Sequence, residues 1–101
     1  MSDTTLESSP FLTIRMTNLI YQQGITDVYR EFQLATTVYP KFNSAHEGYG
    51  VLLDRVETLK EHMFTKRNDR DIPEMRRRAI QVAAIALRIA LETCDEKSGR
   101  R

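Results

Sequence analysis

The stretch AIQVAAIALRIAL, residues 79 to 91, constrains the fold most, because only Gln81 and Arg88 in it are polar. On a helix with 100° per residue, the polar positions of this region share one arc roughly 80° wide: Glu74, Arg78, Gln81, Arg88 and Glu92. A helix that is apolar on its other sides must be covered on those sides. The short helices of a 101-residue chain offer little cover. We therefore expect a helical oligomer, most simply a two-fold dimer with this helix at its centre. The alternative is a monomeric bundle that wraps the helix completely.

Start and stop signals predict two helices in the first forty residues. Ser9 followed by Pro10 is typical of a helix N-terminus, with Ser9 as the N-cap and Pro10 in the first helical position. Gly24 then indicates a C-terminal stop. Thr26 is positioned to cap a second helix, and Pro40 ends it.

Two further helices are predicted from capping signals in the second half of the chain. Ser44 and Glu47 have the spacing of a capping box, in which Ser44 caps a free N–H and Glu47 reaches back to the Ser44 N–H. This helix should run to about Lys66. Asp71 indicates the N-cap of a last helix over residues 73–94. With no alternating strand pattern present, the sequence predicts an all-α bundle of about four helices.

Composition predicts one soluble domain over residues 9–95, with disordered tails at 1–8 and 96–101. The 15 basic and 14 acidic residues give a net charge of +1, which argues against general nucleic-acid binding. No apolar run approaches the roughly 20 residues that span a bilayer, so we expect no membrane association. The single Cys94 excludes an intramolecular disulfide, suits a reducing compartment and favours a cytoplasmic location.

The third predicted helix carries carboxylates that are candidates for catalysis. Asp54, Glu57 and Glu61 fall within about 60° of one another, opposite an apolar stripe that predicts the core. That stripe is formed by Leu52, Val56, Leu59 and Met63. Carboxylate oxygens three and four residues apart are suitable ligands for Mg²⁺, with Asp54 and Glu57 as the candidate metal ligands. The alternative is an ordinary solvated helix face.

Three consecutive arginines, Arg76 to Arg78, occupy the first two turns of the last helix. Positive charge at this end is opposed by the helix dipole, which makes a bound phosphate a reasonable hypothesis. Arg77 and Arg78, with Gln81 one turn later, are then the candidate phosphate-binding residues. The alternative is that nearby acidic residues neutralise the arginines locally.

The segments FNSAHEGYGVLL and AIQVAAIALR carry a resemblance that covers roughly residues 27 to 92. They resemble small MazG-like proteins of phages and bacteria, relatives of the all-α nucleoside triphosphate pyrophosphohydrolases. The resemblance implies a dimer or dimer of dimers that hydrolyses a nucleoside triphosphate to the monophosphate and pyrophosphate. It also implies Mg²⁺ as cofactor, held by an EExxE motif on one helix and an ExxD pair on the next.

The metal motif of that family is largely replaced in this chain. The EExxE register falls on Asp54, Arg55 and Thr58, and the ExxD register falls on Arg78 and Gln81. Only Asp54 keeps a carboxylate. Two functions therefore stay open. One is Mg²⁺-dependent hydrolysis at a rearranged site, and the other is a non-catalytic oligomeric module that binds a nucleotide, another anionic ligand or a protein partner.

Overall fold

The computed structural model describes residues 10–94, with side chains from residue 16 onward. In this range the chain forms helices α1 (Pro10–Val38), α2 (Ala45–Met63) and α3 (Ile72–Glu92), with a short 3-10 turn at Arg67–Asp69. The all-α prediction is confirmed, and the described residues contain no strand. The predicted tails and the Ser9 cap lie outside them. None of the described helices is both long and apolar enough to cross a membrane.

The prediction of four helices is wrong, because α1 continues for 29 residues through Gly24. Gly24 does not adopt a positive φ, and a Cβ placed on it would meet nothing within 4 Å. A glycine inside a helix costs about 1 kcal/mol relative to alanine, which is too little to stop a helix that continues on both sides. Thr26 does not act as a cap, since its hydroxyl donates to the Gln22 carbonyl 2.9 Å away, one turn back in the same helix.

The predicted caps of α2 and α3 are present. Ser44 Oγ accepts from the Glu47 N–H at 3.1 Å, but the Glu47 carboxylate accepts from the Asn43 N–H at 2.8 Å rather than from Ser44. Asp71 caps α3 by accepting from the Glu74 N–H at 3.1 Å.

Helix α2 ends three residues earlier than the predicted Lys66. The Arg70 guanidinium donates to the carbonyls of Met63 at 2.8 Å and Thr65 at 3.1 Å. The last four carbonyl groups of a helix have no partner within it, so Arg70 satisfies the Met63 carbonyl at the end of α2 and the Thr65 carbonyl just after it.

The three helices form a single layer with α3 in the middle. Helix α3 packs against both α1 and α2, which do not pack against each other in the described part of the chain. Arg76 at the start of α3 pairs with Asp27 of α1 at 2.7 Å. This bond holds the pKa of Asp27 below its ordinary value. On the other side, Gly48 allows close approach, because a Cβ there would lie 3.0 Å from Ile89 Cγ1.

Helix α3 turns its polar arc toward the cleft side and four of its five alanines outward. Arg88 and Glu92 are buried, whereas Ala79, Ala83, Ala86 and Ala90 are exposed. In the described part of the chain, neighbouring helices therefore do not wrap α3 completely, unlike in the alternative of a fully enclosing monomeric bundle. The predicted core stripe of α2 is likewise only partly buried, with Val56 37% and Met63 49% exposed. The reason is that a single layer of helices buries only the edges at which neighbouring helices touch.

Candidate functional site

A cleft of about 650 Å³ opens between α1 and α2, with α3 as its floor. Its apolar lining includes Leu34, Val38, Phe42, Val51 and Ile85. Its charged and amide groups come from all three helices: Glu31 from α1, Glu47, Asp54 and Arg55 from α2, and Gln81 and Arg88 from α3. The volume lies within the range of about 300–1,000 Å³ that is common for small-molecule sites, and such sites combine apolar walls with a few polar groups.

A buried ion pair anchors one end of the cleft. Arg88, 2% exposed, donates through Nε to Glu92 Oε2 at 2.8 Å and through Nη2 to the Pro40 carbonyl at 2.7 Å. Glu92 in turn accepts from the Phe42 N–H at 2.9 Å. The α1–α2 connection is thereby fixed to α3, and the Arg88 guanidinium lies over the Phe42 ring, 4.3 Å from its centroid.

The electrostatics of this pair follow from its surroundings. Burial raises the pKa of Glu92, but bonds from Arg88 and from the Phe42 N–H, together with the charges of Arg88 and Lys41, outweigh it. The pKa of Glu92 therefore lies below its ordinary value of 4.5. Glu92 is charged near neutral pH and compensates the charge of Arg88, so Arg88 adds little net positive charge to the cleft.

Of the three acidic residues proposed for catalysis and metal binding, one lies at the cleft and two lie away from it. Asp54 borders the cleft and has a side chain that is 72% exposed, with Arg55 Nη1 3.7 Å from its carboxylate. Glu57 and Glu61 are exposed on α2 and do not line the cleft. Among residues 10–94, no group of three or more His, Cys, Asp or Glu side chains is placed to hold a metal ion.

Of the three proposed phosphate-binding residues, only Gln81 lines the cleft. Arg78 lies beside it, with Nη1 donating to Gln81 Oε1 at 3.3 Å. Arg77 forms two hydrogen bonds with the Glu74 carboxylate, at 3.0 and 2.9 Å. Arg78 Nε is 2.7 Å from the same carboxylate in an ion pair whose N–H is not aligned for a hydrogen bond.

Glu74 is therefore the shared carboxylate partner of two of the three consecutive arginines, Arg77 and Arg78. The bond from Arg77 holds the pKa of Glu74 below its ordinary value, and Glu74 raises the pKa of Arg77. Since Arg76 is paired with Asp27, each arginine of this run has a carboxylate partner. The alternative of local neutralisation thus describes the geometry better than a free phosphate-binding cluster does.

Sequence reasoning missed two contributors to the site. Glu31 borders the cleft from α1, but it stands alone in its segment without a motif that would single it out. Phe42 was passed over because it lies in a connection, although the following capping box places it two residues before the N-cap of α2. An aromatic residue next to a predicted cap was the available signal.

A scan against protein-family models and searches of curated proteins and of solved structures found no match to this chain. The resemblance to MazG-like proteins thus stays an expectation that rests on the sequence of residues 27 to 92. The class that the fold and cleft define is coarser, namely an all-α protein with an open cleft on one face of a helical layer.

Proposed function

We propose that this protein is a homo-oligomeric, MazG-like helical protein that binds a nucleotide or a related phosphate-bearing small molecule in the cleft, without a requirement for metal. The observation that carries the proposal is the convergence of Asp54, Arg55 and Gln81 on one cavity of suitable size. These three residues occupy positions at which the resemblance places the metal motifs, which supports the cleft as the site of the ligand.

The lining suggests how such a ligand would bind. The apolar groups Leu34, Val51 and Ile85 offer a surface for a base or sugar, while the Gln81 amide can hydrogen-bond to the edge of a base. Arg55, with a side chain 34% exposed and a loose 3.7 Å pairing with Asp54, is the cation best placed for a phosphate group, because Arg88 is held at 2.8 Å by Glu92. Glu31 and Asp54 oppose a highly charged anion. A ligand with few phosphate charges is therefore favoured over a free triphosphate.

The residues present fit a tightly bound Mg²⁺ poorly. Magnesium requires near-octahedral oxygen coordination and is usually held by one or two carboxylates with help from substrate phosphates. Asp54 is the carboxylate at the expected position, and its neighbour Arg55 places a positive charge 3.7 Å away. Ligand binding is therefore proposed to need no metal ion.

Calorimetric titration with inorganic phosphate, pyrophosphate and nucleoside mono-, di- and triphosphates, with and without Mg²⁺, tests the proposal. We expect metal-independent binding of at least one nucleotide, lost in Arg55→Ala and in Gly50→Leu. Gly50 lines the cleft, and a Cβ there meets nothing within 4 Å, so a leucine fills the cleft without disturbing the helix packing. Glu57→Leu, outside the cleft, is the matched control and should bind normally. Absence of binding across the panel would refute the proposal.

Hydrolysis of a nucleoside triphosphate to the monophosphate and pyrophosphate is a second candidate, and Glu31 favours it. Glu31 adds a carboxylate from α1 to a cleft that already contains Glu47 and Asp54 of α2, so a metal carried in by the substrate phosphates would meet acidic residues from two helices. Pyrophosphate release with Mg²⁺ or Mn²⁺ is the assay. Activity lost in Asp54→Asn and Glu31→Gln but kept in Glu57→Gln and Glu61→Gln would support this candidate. Activity unchanged in Asp54→Asn would exclude the cleft.

A further inference from the structure

The carboxylate of Glu31 is half-buried at the cleft, yet within the described residues it has neither an ion-pair partner nor a hydrogen bond. Glu31 also borders a shallower groove that holds Arg76 and Arg77. Arg77 has a raised pKa, mainly through its bond with Glu74 and to a smaller extent through the charge of Glu31. Both arginines are already bonded to other carboxylates. Because a polar group withdrawn from water needs hydrogen bonds, Glu31 is suited to accept them from a ligand.

The amide of Gln81 has an orientation that its neighbour fixes. Gln81 Oε1 accepts from Arg78 Nη1 at 3.3 Å. A guanidinium carries only donors, so the amide atom that faces it must be the oxygen. The Gln81 amide nitrogen has no acceptor among the described residues, and it is not sealed from solvent, since Arg78 Nε is the buried side-chain atom without a hydrogen bond in this range. Gln81 therefore offers N–H donors to a ligand in the cleft.

The packing of α1 on α3 brings Glu31 and Gln81 to the same level. The register of the two helices is fixed by two contacts with nearly equal separations, 49 and 48 residues: Arg76 with Asp27, and Arg88 with the Pro40 carbonyl. Nearly equal separations mean that the two helices run parallel. The same separation places Glu31 level with Ile80, immediately before Gln81. An acceptor from α1 and a donor from α3 are thus neighbours in the cleft.

Arg55 approaches the same level from the opposite side. The register of α2 on α3 is antiparallel, as two contacts show: the Phe42 N–H with Glu92, and Gly48 with Ile89. Continuing this register along both helices brings Arg55 level with Val82. Glu31 and Arg55 therefore flank Gln81, one on each wall of the cleft. A nucleotide that lies across the cleft can place its base at the α1 wall and its phosphate at Arg55.

The base that matches this pattern is guanine. Its Watson–Crick edge carries two adjacent donors, N1–H and the 2-amino group, followed by the O6 acceptor. The two donors can bond both oxygens of Glu31, and O6 can accept from the Gln81 amide. Adenine and cytosine each present one amino donor on this edge and uracil one N–H, so they would leave one oxygen of Glu31 without a partner. Leu34 and Ile85, each about one turn beyond these two residues, line the cleft and provide apolar surface for the ring.

We propose that the cleft selects a guanine nucleotide, with Glu31 accepting from N1–H and the 2-amino group and Gln81 donating to O6. This inference rests on the binding proposal above and adds the identity of the base to it. A ligand with one phosphate is favoured, because the cleft also holds the carboxylates of Glu47 and Asp54. In the hydrolytic candidate Glu31 would contact a metal instead, a role that requires no preference among bases.

Calorimetric titration of the wild-type protein with guanosine, inosine, adenosine, cytidine and uridine monophosphates is the first test. Guanosine monophosphate should bind most tightly. Inosine monophosphate lacks only the 2-amino group and should bind roughly 10-fold more weakly or worse, because a lost bidentate contact leaves one carboxylate oxygen unpaired. This comparison removes the contact from the ligand side, so it needs no protein variant.

Glu31→Gln is the second test, because it changes the hydrogen-bond pattern with almost no change in shape. The amide oxygen still accepts from N1–H, but the amide nitrogen now meets the 2-amino group as a second donor. Guanosine monophosphate should bind roughly 10- to 100-fold more weakly than to the wild type. Xanthosine monophosphate, which has an oxygen in place of the 2-amino group, should bind more tightly. Glu57→Gln, outside the cleft, is the matched control and should keep the wild-type order. Circular dichroism checks that both variants stay helical.

The outcomes separate this inference from the binding proposal on which it rests. Absence of binding by every nucleotide would overturn both. Equal affinity for guanosine and inosine monophosphates, or tighter binding of another base, would overturn guanine selection and leave the binding proposal standing. A preference for guanosine over xanthosine monophosphate that is unchanged in a folded Glu31→Gln variant would also overturn it, because Glu31 would then not be the residue that contacts the base.

Discussion

Replacement of Arg88 by methionine should strongly destabilise the fold, although the residue carries no motif. Methionine keeps much of the apolar stem but removes three hydrogen bonds, two to Glu92 and one to the Pro40 carbonyl. Glu92, 7% exposed, would then be a buried carboxylate whose one described partner is the Phe42 N–H. Breaking a buried pair by removing one partner costs about 3–5 kcal/mol. We therefore expect Arg88→Met to lower the free energy of unfolding by about 4 kcal/mol. This is a large share of the roughly 5–15 kcal/mol of stability that is typical of native proteins.

A double-mutant cycle separates the ion pair from simple loss of packing. Arg88→Met combined with Glu92→Leu removes both charges, and apolar replacements of buried pairs are often nearly neutral. The Phe42 N–H then loses its acceptor, which costs about 1–3 kcal/mol. We therefore expect the double variant to be more stable than Arg88→Met alone, by about 2 kcal/mol. Arg76→Met, which breaks an exposed pair with Asp27, is the control and should have a much smaller effect.

Urea unfolding followed by circular dichroism at a fixed protein concentration measures these differences. The reasoning would be refuted by a loss below about 1 kcal/mol in Arg88→Met, because a buried unpaired carboxylate cannot cost so little. It would equally be refuted by additive losses in the double variant, which would mean that the two side chains act independently.

Three further predictions can be checked by the same unfolding experiments. Gly48→Ala should destabilise by about 1–3 kcal/mol, because its Cβ would lie 3.0 Å from Ile89 Cγ1, whereas Gly24→Ala should stabilise by up to about 1 kcal/mol. Ser44→Ala should cost about 1 kcal/mol through loss of the α2 N-cap, and Ser44→Asp should restore it. Glu92 has a lowered pKa in the folded state, so its contribution is complete above 4.5 and is lost as the pH falls through the folded value. Wild-type stability should therefore decline below pH 4.5 more steeply than that of Glu92→Gln, and parallel profiles would contradict the assignment.

The local signals in the sequence predicted the helical class and the caps because they depend on a few adjacent residues. Ser44 and Asp71 act as caps as expected, since an N-cap needs only its own side chain and the following turn. Gly24 was misread as a stop because a helix end requires a following break, and none follows until the chain reaches Pro40. The strength of a stop signal therefore depended on residues well beyond the glycine itself.

The candidate site was predictable only in part, for a different reason. Asp54 and Gln81 were singled out and do border the cleft. The sequence could not show that the polar arc of α3 faces inward, because periodicity defines an arc but not the side on which neighbours pack. Arg88 and Glu92 belong to that arc, and their burial depends on Phe42, which is 50 residues away from Glu92 along the chain.

That separation along the chain also sets the order in which the site can be completed during synthesis. Phe42 and the connection to α2 leave the ribosome long before Glu92, the acceptor that holds them to α3. A nascent chain that ends before residue 92 therefore contains every polar group of the cleft wall but lacks the bond that fixes its end. We expect C-terminal truncations before Glu92 to be more sensitive to proteolysis at residues 39–44 than truncations just after it.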